Sequence, residues 1–167
     1  MTSKNLIGTN LEVFGSDIEK KIKEASANSE PAWHNIDLNK IGLYVWRIEK
    51  FKLVVADTNG SFHEGDSYVI LNIHKDNSDN FKYDIHFWLG NKTTQDEMGT
   101  AAYKTVELDT FLHGKATQYR EIQQNESDLF ISYFPKGIEY KLGGIEGGFR
   151  KVQKNDYSNY QNILMKI

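Results

Sequence analysis

Two acidic residues stand near the two ends of the segment TTQDEMGTAAYKTVELDTFLHG (93–114), which has the start and stop signals of a helix. Glu97 follows Thr94 by three residues, so its carboxylate could close a capping box at the start of a helix. Asp109 lies in the last turn of that helix, where the helix dipole disfavours a negative side chain by roughly 0.3–1 kcal/mol. A bound cation would reverse this cost, because the carboxylate and the unpaired terminal carbonyls could share it. The spacing leaves open an ordinary capped helix or a helix that holds metal.

The backbone just beyond this helix could add ligands to the second acid. The carbonyls of Gly114 and Ala116 could curl back within reach of Asp109. Such a cluster supplies only about three protein oxygens, whereas calcium takes about 6–8. A surface site this incomplete needs water or a carboxylate from a partner.

The helix that positions these acids is predicted over residues 95–112, with Gly114 as its C′ residue. One side is expected to face a sheet and carries Met98, Ala101, Ala102, Thr105, Val106, Leu108 and Leu112. The other side carries two aromatic residues among polar ones, namely Tyr103, Phe111, Asp96, Thr100 and Glu107. Scattered exposed aromatic residues are common, so this side is either a docking face or ordinary surface.

The rest of the chain predicts an α+β domain with a mostly antiparallel sheet. Two β-rich runs, 66–75 and 82–90, flank the turn DNSDN and predict a central hairpin. Further strands are predicted at 43–48, 52–56, 116–123 and 137–142.

Three other segments are predicted from caps and composition. A short apolar helix, LFISYF, follows the cap Ser127 and ends at Pro135. Before Pro31, a charged helix opens at Ser16 and runs to about Ala27 as a peripheral arm. The polar residues from 151 onward read as a linker or docking tail.

Composition excludes several classes of function. The 167 residues fit one domain, and a net charge of −3 disfavours nucleic acid as the main partner. No cysteine is present, which excludes disulfides and thiolate zinc sites. The sequence shows neither a signal peptide nor a transmembrane segment, so a cytoplasmic protein is expected.

Enzymatic chemistry finds little support in the motifs. The five histidines lack HExxH spacing, and no GxSxG is present, which disfavours a hydrolase. His86 alternates with Asp84 and Trp88 along a strand, so a structural, hydrogen-bonded histidine is predicted. A basic cluster could be a solvated edge or could bind anionic lipid headgroups; it comprises Lys136, Tyr140, Lys141, Phe149, Arg150, Lys151 and Lys154.

Six strings in one order resemble the first domain of gelsolin-family actin regulators. They are VWRIEKFKLV, GDSYVIL, YDIHFWLGN, TTQDEMGTAAYKTVELD, QYREIQQNESDLFISYF and GGIEGGFRKV. With its short N-terminal helix, the chain is most similar to severin and fragmin, the smaller three-domain relatives. The resemblance divides the chain into an arm (1–32), a gelsolin-like domain (33–152) and a tail or linker (153–167).

The resemblance implies a five-stranded mixed sheet between one long and one short helix. It also implies a non-enzymatic, cytoskeletal function, namely calcium-dependent binding of actin monomers and capping of filament barbed ends. The long helix would enter a cleft of actin at the barbed-end face. The actin contacts implied are Gln95, Asp96, Tyr103, Asp109, Thr110 and Phe149.

Two Ca²⁺ sites are also implied. The internal site would use the carbonyls of Gly65 and Ile145 and the carboxylates of Asp66 and Glu97. The site shared with actin would use Asp109 and the carbonyls of Gly114 and Ala116, completed by an actin carboxylate. Hard oxygen ligands fit calcium better than zinc. One Glu97 carboxylate cannot fully serve both a capping box and the internal site.

Three departures from the family pattern qualify this expectation. Thr110 stands where an acid is frequent, which weakens one polar actin contact. The segment PKGIEYKLGG has fewer lysines than the family's phosphoinositide segment, so lipid binding through Lys136, Lys141, Arg150 and Lys151 is a weaker alternative. The chain ends soon after the first domain, which favours capping over severing. The alternative function is a phosphoinositide-regulated module with altered or lost actin affinity.

Overall fold

The computed structural model describes residues 18–144. Helix α1 covers residues 18–29 and is followed by a 3-10 helix, Pro31–Asn35. The further elements in chain order are β1 (Gly42–Glu49), β2 (Lys52–Val55), β3 (Ser61–His63), β4 (Ser67–Lys75), β5 (Phe81–Leu89), α2 (Gln95–Phe111), β6 (Ala116–Ile122), α3 (Asp128–Ser132) and β7 (Glu139–Lys141). The predicted cap at Ser16 lies outside the described residues.

The main sheet has five strands in the order β2-β1-β4-β5-β6. The predicted hairpin, β4 and β5, is antiparallel and lies inside this sheet, in register from Ser67 opposite Leu89 to Lys75 opposite Phe81. Strand β6 returns parallel to β5 after α2, with Ala116 beside Tyr83. The five-stranded mixed sheet implied by the resemblance is therefore confirmed.

A hydrophobic layer lies on each face of the sheet. The layer under α2 includes Trp33, Trp46, Val69, Leu71, Ile85 and Leu108. The opposite layer lies under α3 and is rich in aromatic side chains: Phe62, Tyr68, Trp88, Phe130 and Phe134. Alternate residues of β4 point to opposite layers, as the two-residue period of a strand requires.

Helix α2 begins and ends where its sequence predicts. The Thr94 hydroxyl accepts a hydrogen bond from the Glu97 N–H at 3.2 Å and caps the first turn. Beyond the last turn, His113 and Gly114 adopt positive φ angles of 61° and 73°, which stop the helix. Between these ends α2 packs on β4, β5, β6 and β1.

The predicted division of α2 into faces is partly wrong. Val106, expected in the core, is 47% exposed, whereas Glu107, expected on the outer side, is buried. Phe111 is half-buried and packs against the core under α2. The reason is that α1 and the 3-10 helix cover one flank of α2, which shifts its buried arc from Val106 toward Glu107.

The last predicted strand lies in a different sheet. Strand β7 pairs in parallel with β3, and the two form a separate two-stranded sheet. Strand β3 was missed because three residues between turns carry too little pattern to identify. Within residues 18–144, no helix is long and apolar enough to cross a lipid bilayer.

Candidate functional site

A buried acidic pocket lies where the start of β4 meets the first turn of α2. Asp66 precedes β4 and is fully buried, and Glu97 is only 2% exposed. Burial, with a smaller contribution from the neighbouring Asp66 carboxylate, raises the pKa of Glu97 to about 8. Two neighbouring carboxylates that are both buried repel each other and are poorly solvated. A positive charge or a proton is needed to offset this cost.

The hydrogen bonds of Glu97 leave one of its oxygens unpaired. The Thr93 hydroxyl donates to Glu97 Oε1 at 2.8 Å and also bonds the Ser67 hydroxyl at 2.8 Å. Glu97 Oε2 is buried and has no hydrogen-bond partner among residues 18–144. The helix cap is made by the Thr94 hydroxyl, while the carboxylate of Glu97 faces Thr93. The carboxylate is therefore available for a ligand, which favours the metal interpretation over the capping box.

One arginine already faces this pocket. Arg47 Nε lies 2.8 Å from Asp66 Oδ2 and 3.7 Å from Glu49 Oε2. The guanidinium balances one carboxylate of the pocket at close range. Glu97 lacks a comparable cation at hydrogen-bond distance in the described part of the chain.

Glycine backbone closes the pocket beside Asp66. The Gly65 N–H donates to the Gly143 carbonyl at 2.8 Å. A Cβ on Gly144 would lie 2.5 Å from Asp66 Oδ1, so only glycine allows this approach. The structure thus brings Gly65, Asp66 and Glu97 together at one place. Ile145, the fourth predicted ligand, lies outside the described residues.

The donors of the pocket fit an oxygen-binding cation such as calcium. The unpaired Glu97 oxygen is the observation that carries this fit, because a buried orphan carboxylate oxygen costs free energy that a cation would offset. Residues 18–144 contain no group of three or more His, Cys, Asp or Glu side chains that could hold a metal. The remaining ligands would therefore be backbone carbonyls and water.

Asp109, at the other end of α2, has both carboxylate oxygens hydrogen-bonded within the chain. Oδ1 accepts from the Ala116 N–H at 3.1 Å, and Oδ2 accepts from the Gln118 amide at 2.8 Å. The Gly114 N–H donates to the Asp109 carbonyl at 2.8 Å. These bonds explain the acid in the last turn without a metal, a role that the sequence prediction missed. They also bring Gly114 and Ala116 next to Asp109, through their N–H groups rather than through the carbonyls that the resemblance implies as ligands.

The outer face of α2 carries the predicted partner contacts. Gln95 and Asp96 are exposed, and Tyr103 is 57% exposed. Thr110 is half-buried and donates to the Val106 carbonyl at 3.1 Å. A shallow, open depression of about 480 Å³ runs along this face, lined by Gln95, Asp96, Gly99, Thr100, Tyr103 and Lys104, with Phe51 from the β1–β2 turn. The sequence did not identify Phe51, and the predicted contact Phe149 lies outside the described residues.

The N-terminal arm is anchored to this helix by a buried carboxylate that the sequence missed. Glu107 accepts hydrogen bonds from the Trp33 indole at 3.2 Å, the Ser26 hydroxyl at 2.9 Å and the Lys104 ammonium at 2.9 Å. Lys104 also pairs with Glu30. A tryptophan directly after Pro31-Ala32 was the signal that could have indicated a docked arm.

His86 has the structural role predicted for it. Its Nδ1 atom lies 2.7 Å from Glu121 Oε2, and its Nε2 atom lies 2.8 Å from the Tyr133 hydroxyl. Burial lowers the pKa of His86, although the Glu121 carboxylate opposes that effect. Among the predicted lipid contacts, Lys136 and Lys141 are exposed, and Arg150 and Lys151 lie outside the described residues.

Comparison with known proteins shows which family has this architecture. A model of the gelsolin repeat matches residues 53–131. Gelsolin-like protein 1 of Lumbricus terrestris is 50% identical over 153 residues, which are 89% of this chain and 41% of the relative. Severin of Echinococcus granulosus is 44% identical over 156 residues, covering 89% of this chain and 42% of the relative.

Further matches extend the comparison to a vertebrate and to a solved structure. Gelsolin of Gallus gallus is 52% identical over 127 residues, which cover 75% of this chain and 16% of that protein. A chain in the crystal structure of a Thorarchaeota 2DGel3/rabbit actin complex matches with a TM-score of 0.54 and 28% identity, over 70% of this chain and 54% of that one. The chain spans about two fifths of the length of the Lumbricus and Echinococcus relatives. The domain that contains residues 53–131, with its mixed sheet between α2 and α3, belongs to the gelsolin family.

Proposed function

We propose that this chain is a calcium-dependent actin-binding domain that binds actin monomers and caps filament barbed ends. The observation that carries the proposal is the outer face of α2, where Tyr103 is 57% exposed beside an open depression. The related solved structure, which is a complex with rabbit actin, supports the choice of partner.

The chain's own residues would act by binding and blocking. Tyr103 would place an apolar ring against the partner, and Gln95 and Asp96 would supply polar contacts at the start of α2. Aromatic residues of this kind commonly dominate interface energetics, because they bury a large area at a small entropic cost. An occupied barbed end cannot accept another subunit, so the proposed activity needs no bond to be made or broken.

Calcium would bind at both ends of α2. When bound, the ion supplies positive charge and oxygen coordination. At the first end, Gly65, Asp66 and Glu97 would hold it, and the fit rests on the unpaired Glu97 oxygen. At the second end, Asp109 would present its carboxylate beside Gly114 and Ala116, and an acidic group of actin would complete the set. The second site would therefore form only in the complex.

A pull-down of monomeric actin by the 167-residue chain tests the proposal. We expect binding in calcium and loss of binding in chelator. Tyr103→Ala should weaken binding by about 30-fold or more, because a central aromatic contact contributes about 2 kcal/mol or more. Ile131→Ala is the matched control, since Ile131 is exposed on α3, on the other side of the sheet. Equal binding by the two variants, or no binding by the wild type, would contradict the proposal.

Capping is tested separately by elongation from actin seeds. The chain should slow growth at barbed ends in calcium and leave it unchanged in chelator. Binding to monomers without any effect on elongation would limit the function to monomer binding.

A further inference from the structure

Helix α1 lies against the same helix that carries the proposed actin contacts. The Ser26 hydroxyl lies 3.3 Å from the Tyr103 hydroxyl and donates to Glu107 Oε2 at 2.9 Å. Tyr103 remains 57% exposed with α1 in this position. The arm therefore borders the actin-facing tyrosine without covering it.

The attachment of the arm is part of the folded domain. Ala27 and Trp33 are fully buried, and Trp33 packs edge-on against Trp46 of β1 with ring centroids 5.1 Å apart. The Trp33 indole also donates to the buried Glu107 carboxylate at 3.2 Å. Removing residues 1–32 would delete the buried Ala27 and leave Glu107 without its Ser26 donor. A lid that opens and closes would not be fixed in this way.

Two isoleucines on α1 remain exposed beside this contact. Ile18 is 45% exposed and Ile22 is 63% exposed. Residues 18, 22 and 26 are spaced by four, so they follow one another along one side of the helix. Because Ser26 on this side touches Tyr103, the isoleucines extend the apolar edge of the outer face of α2.

The opposite side of α1 has a different character. Lys20 and Glu24, also four residues apart, are exposed and charged. The apolar flank is the one that continues from Tyr103.

We propose that Ile18 and Ile22 extend the actin-binding surface, so that the partner that contacts α2 also packs against α1. This inference rests on the proposed function, since it names the same partner. Its occupant is actin because the two isoleucines are continuous with the face that actin is proposed to contact. Glu107 is then a positioning residue, which holds α1 in line with Tyr103.

The test compares two variants of the full chain that change net charge equally. Ile22→Glu and Lys20→Gln each lower the charge by one, and each places a good helix former on α1. With labelled monomeric actin in calcium, we expect Ile22→Glu to weaken binding by about tenfold, since a partly buried isoleucine contributes about 1.5 kcal/mol. Lys20→Gln should bind like the wild type. Circular dichroism should show the same helix content for both.

Each outcome decides between this inference and the function on which it rests. Equal affinity of Ile22→Glu and the wild type, with binding still weakened in Tyr103→Ala, overturns the role of α1 and leaves the proposed function in place. Tighter binding by Ile22→Glu also overturns it, because the arm would then act as a cover. Absence of binding by the wild type overturns both. Amide hydrogen exchange gives an independent check, since residues 18–29 should become more protected when actin is added.

Discussion

Two buried glutamates on opposite faces of the sheet differ in how fully their carboxylate oxygens are hydrogen-bonded. Glu121, on the α3 side, has Oε1 bonded to the Ser127 N–H at 2.7 Å and Oε2 bonded to His86 and the Ser127 hydroxyl. Glu97, on the α2 side, has one oxygen bonded to the Thr93 hydroxyl and the other unpaired among the described residues. The described residues satisfy both oxygens of Glu121 and leave one oxygen of Glu97 unpaired. This difference is why we propose a structural role for Glu121 and a cation-binding role for Glu97.

The largest expected effect comes from removing the completed carboxylate. Glu121→Ala leaves the buried His86 and the Ser127 N–H without their acceptor, so we expect the free energy of unfolding to fall by about 3–5 kcal/mol, since each buried polar group left unpaired costs about 1–3 kcal/mol. Glu97→Gln, measured without calcium, should leave stability unchanged or raise it by about 1 kcal/mol, because it removes a buried carboxyl whose charged form is disfavoured by burial. Urea unfolding followed by tryptophan fluorescence measures both. Equal destabilisation by the two variants would show that both carboxylates are structural.

The next effect concerns calcium itself. A site inside the free domain stabilises it by binding, and at a calcium concentration of about 100 times Kd the gain is about 2.7 kcal/mol. We therefore expect calcium to raise the midpoint temperature of thermal unfolding of the wild type. The midpoint of Glu97→Gln should not change when calcium is added. Asp109→Asn is the matched control, because its site lacks the partner's ligand when actin is absent. A calcium response that survives Glu97→Gln would contradict the internal site.

The sequence could predict where α2 begins and ends, but not which groups surround its acidic side chains. Thr94 and Gly114 define the ends of the helix through local rules, so its bounds follow from neighbouring residues. The environment of Glu97 depends on Ser67 and Asp66, about 30 residues away, which a capping pattern does not register. A glutamate that closes a capping box and a buried glutamate with an unpaired oxygen have the same local sequence pattern. Only the tertiary fold separates them.

The same limit explains the errors on the helix faces. Helical periodicity assigned Glu107 to the outer side because a glutamate there is ordinarily solvated. The fold instead brings Trp33 and Ser26 to it, 74 and 81 residues earlier in the chain. The unfavourable position of the Asp109 carboxylate in the last turn has no local compensation in the sequence, and the Gln118 amide supplies one from the next strand. Long-range hydrogen bonds are the part of the site that spacing cannot show.

A third prediction tests whether hydrogen bonds within the chain stabilise the Asp109 carboxylate, as they do for Glu121. Asp109→Ala removes the acceptor of the Ala116 N–H and of the Gln118 amide, so the domain should lose about 1–2 kcal/mol of stability. Asp109→Asn keeps an acceptor for Ala116 and should lose less than about 1 kcal/mol. Thermal unfolding in chelator compares the two. If Asp109→Ala is as stable as the wild type, the hydrogen bonds at this end of α2 contribute nothing measurable.

The smallest effect concerns pH and the histidine that completes Glu121. Burial lowers the pKa of His86 below its unfolded value of about 6.5, while the adjacent Glu121 and Asp84 carboxylates oppose the shift. The neutral ring suits the geometry, since Nδ1–H can donate to Glu121 while Nε2 accepts from the Tyr133 hydroxyl. The unfolded chain therefore binds the proton more readily, so this part of the stability is present above about pH 6.5 and is lost as the pH falls.

The variant His86→Gln isolates that contribution. In calcium-free buffer, the wild type should lose more stability than His86→Gln between about pH 7 and pH 5, because only the wild type has this histidine to protonate on unfolding. His34→Gln, which removes an exposed histidine of the 3-10 helix, is the control for the loss of one imidazole. A wild type that gains stability relative to His86→Gln as the pH falls would mean that Glu121 holds His86 as a cation. The pair would then be a buried salt bridge, and its contrast with Glu97 would rest on charge as well as on hydrogen bonding.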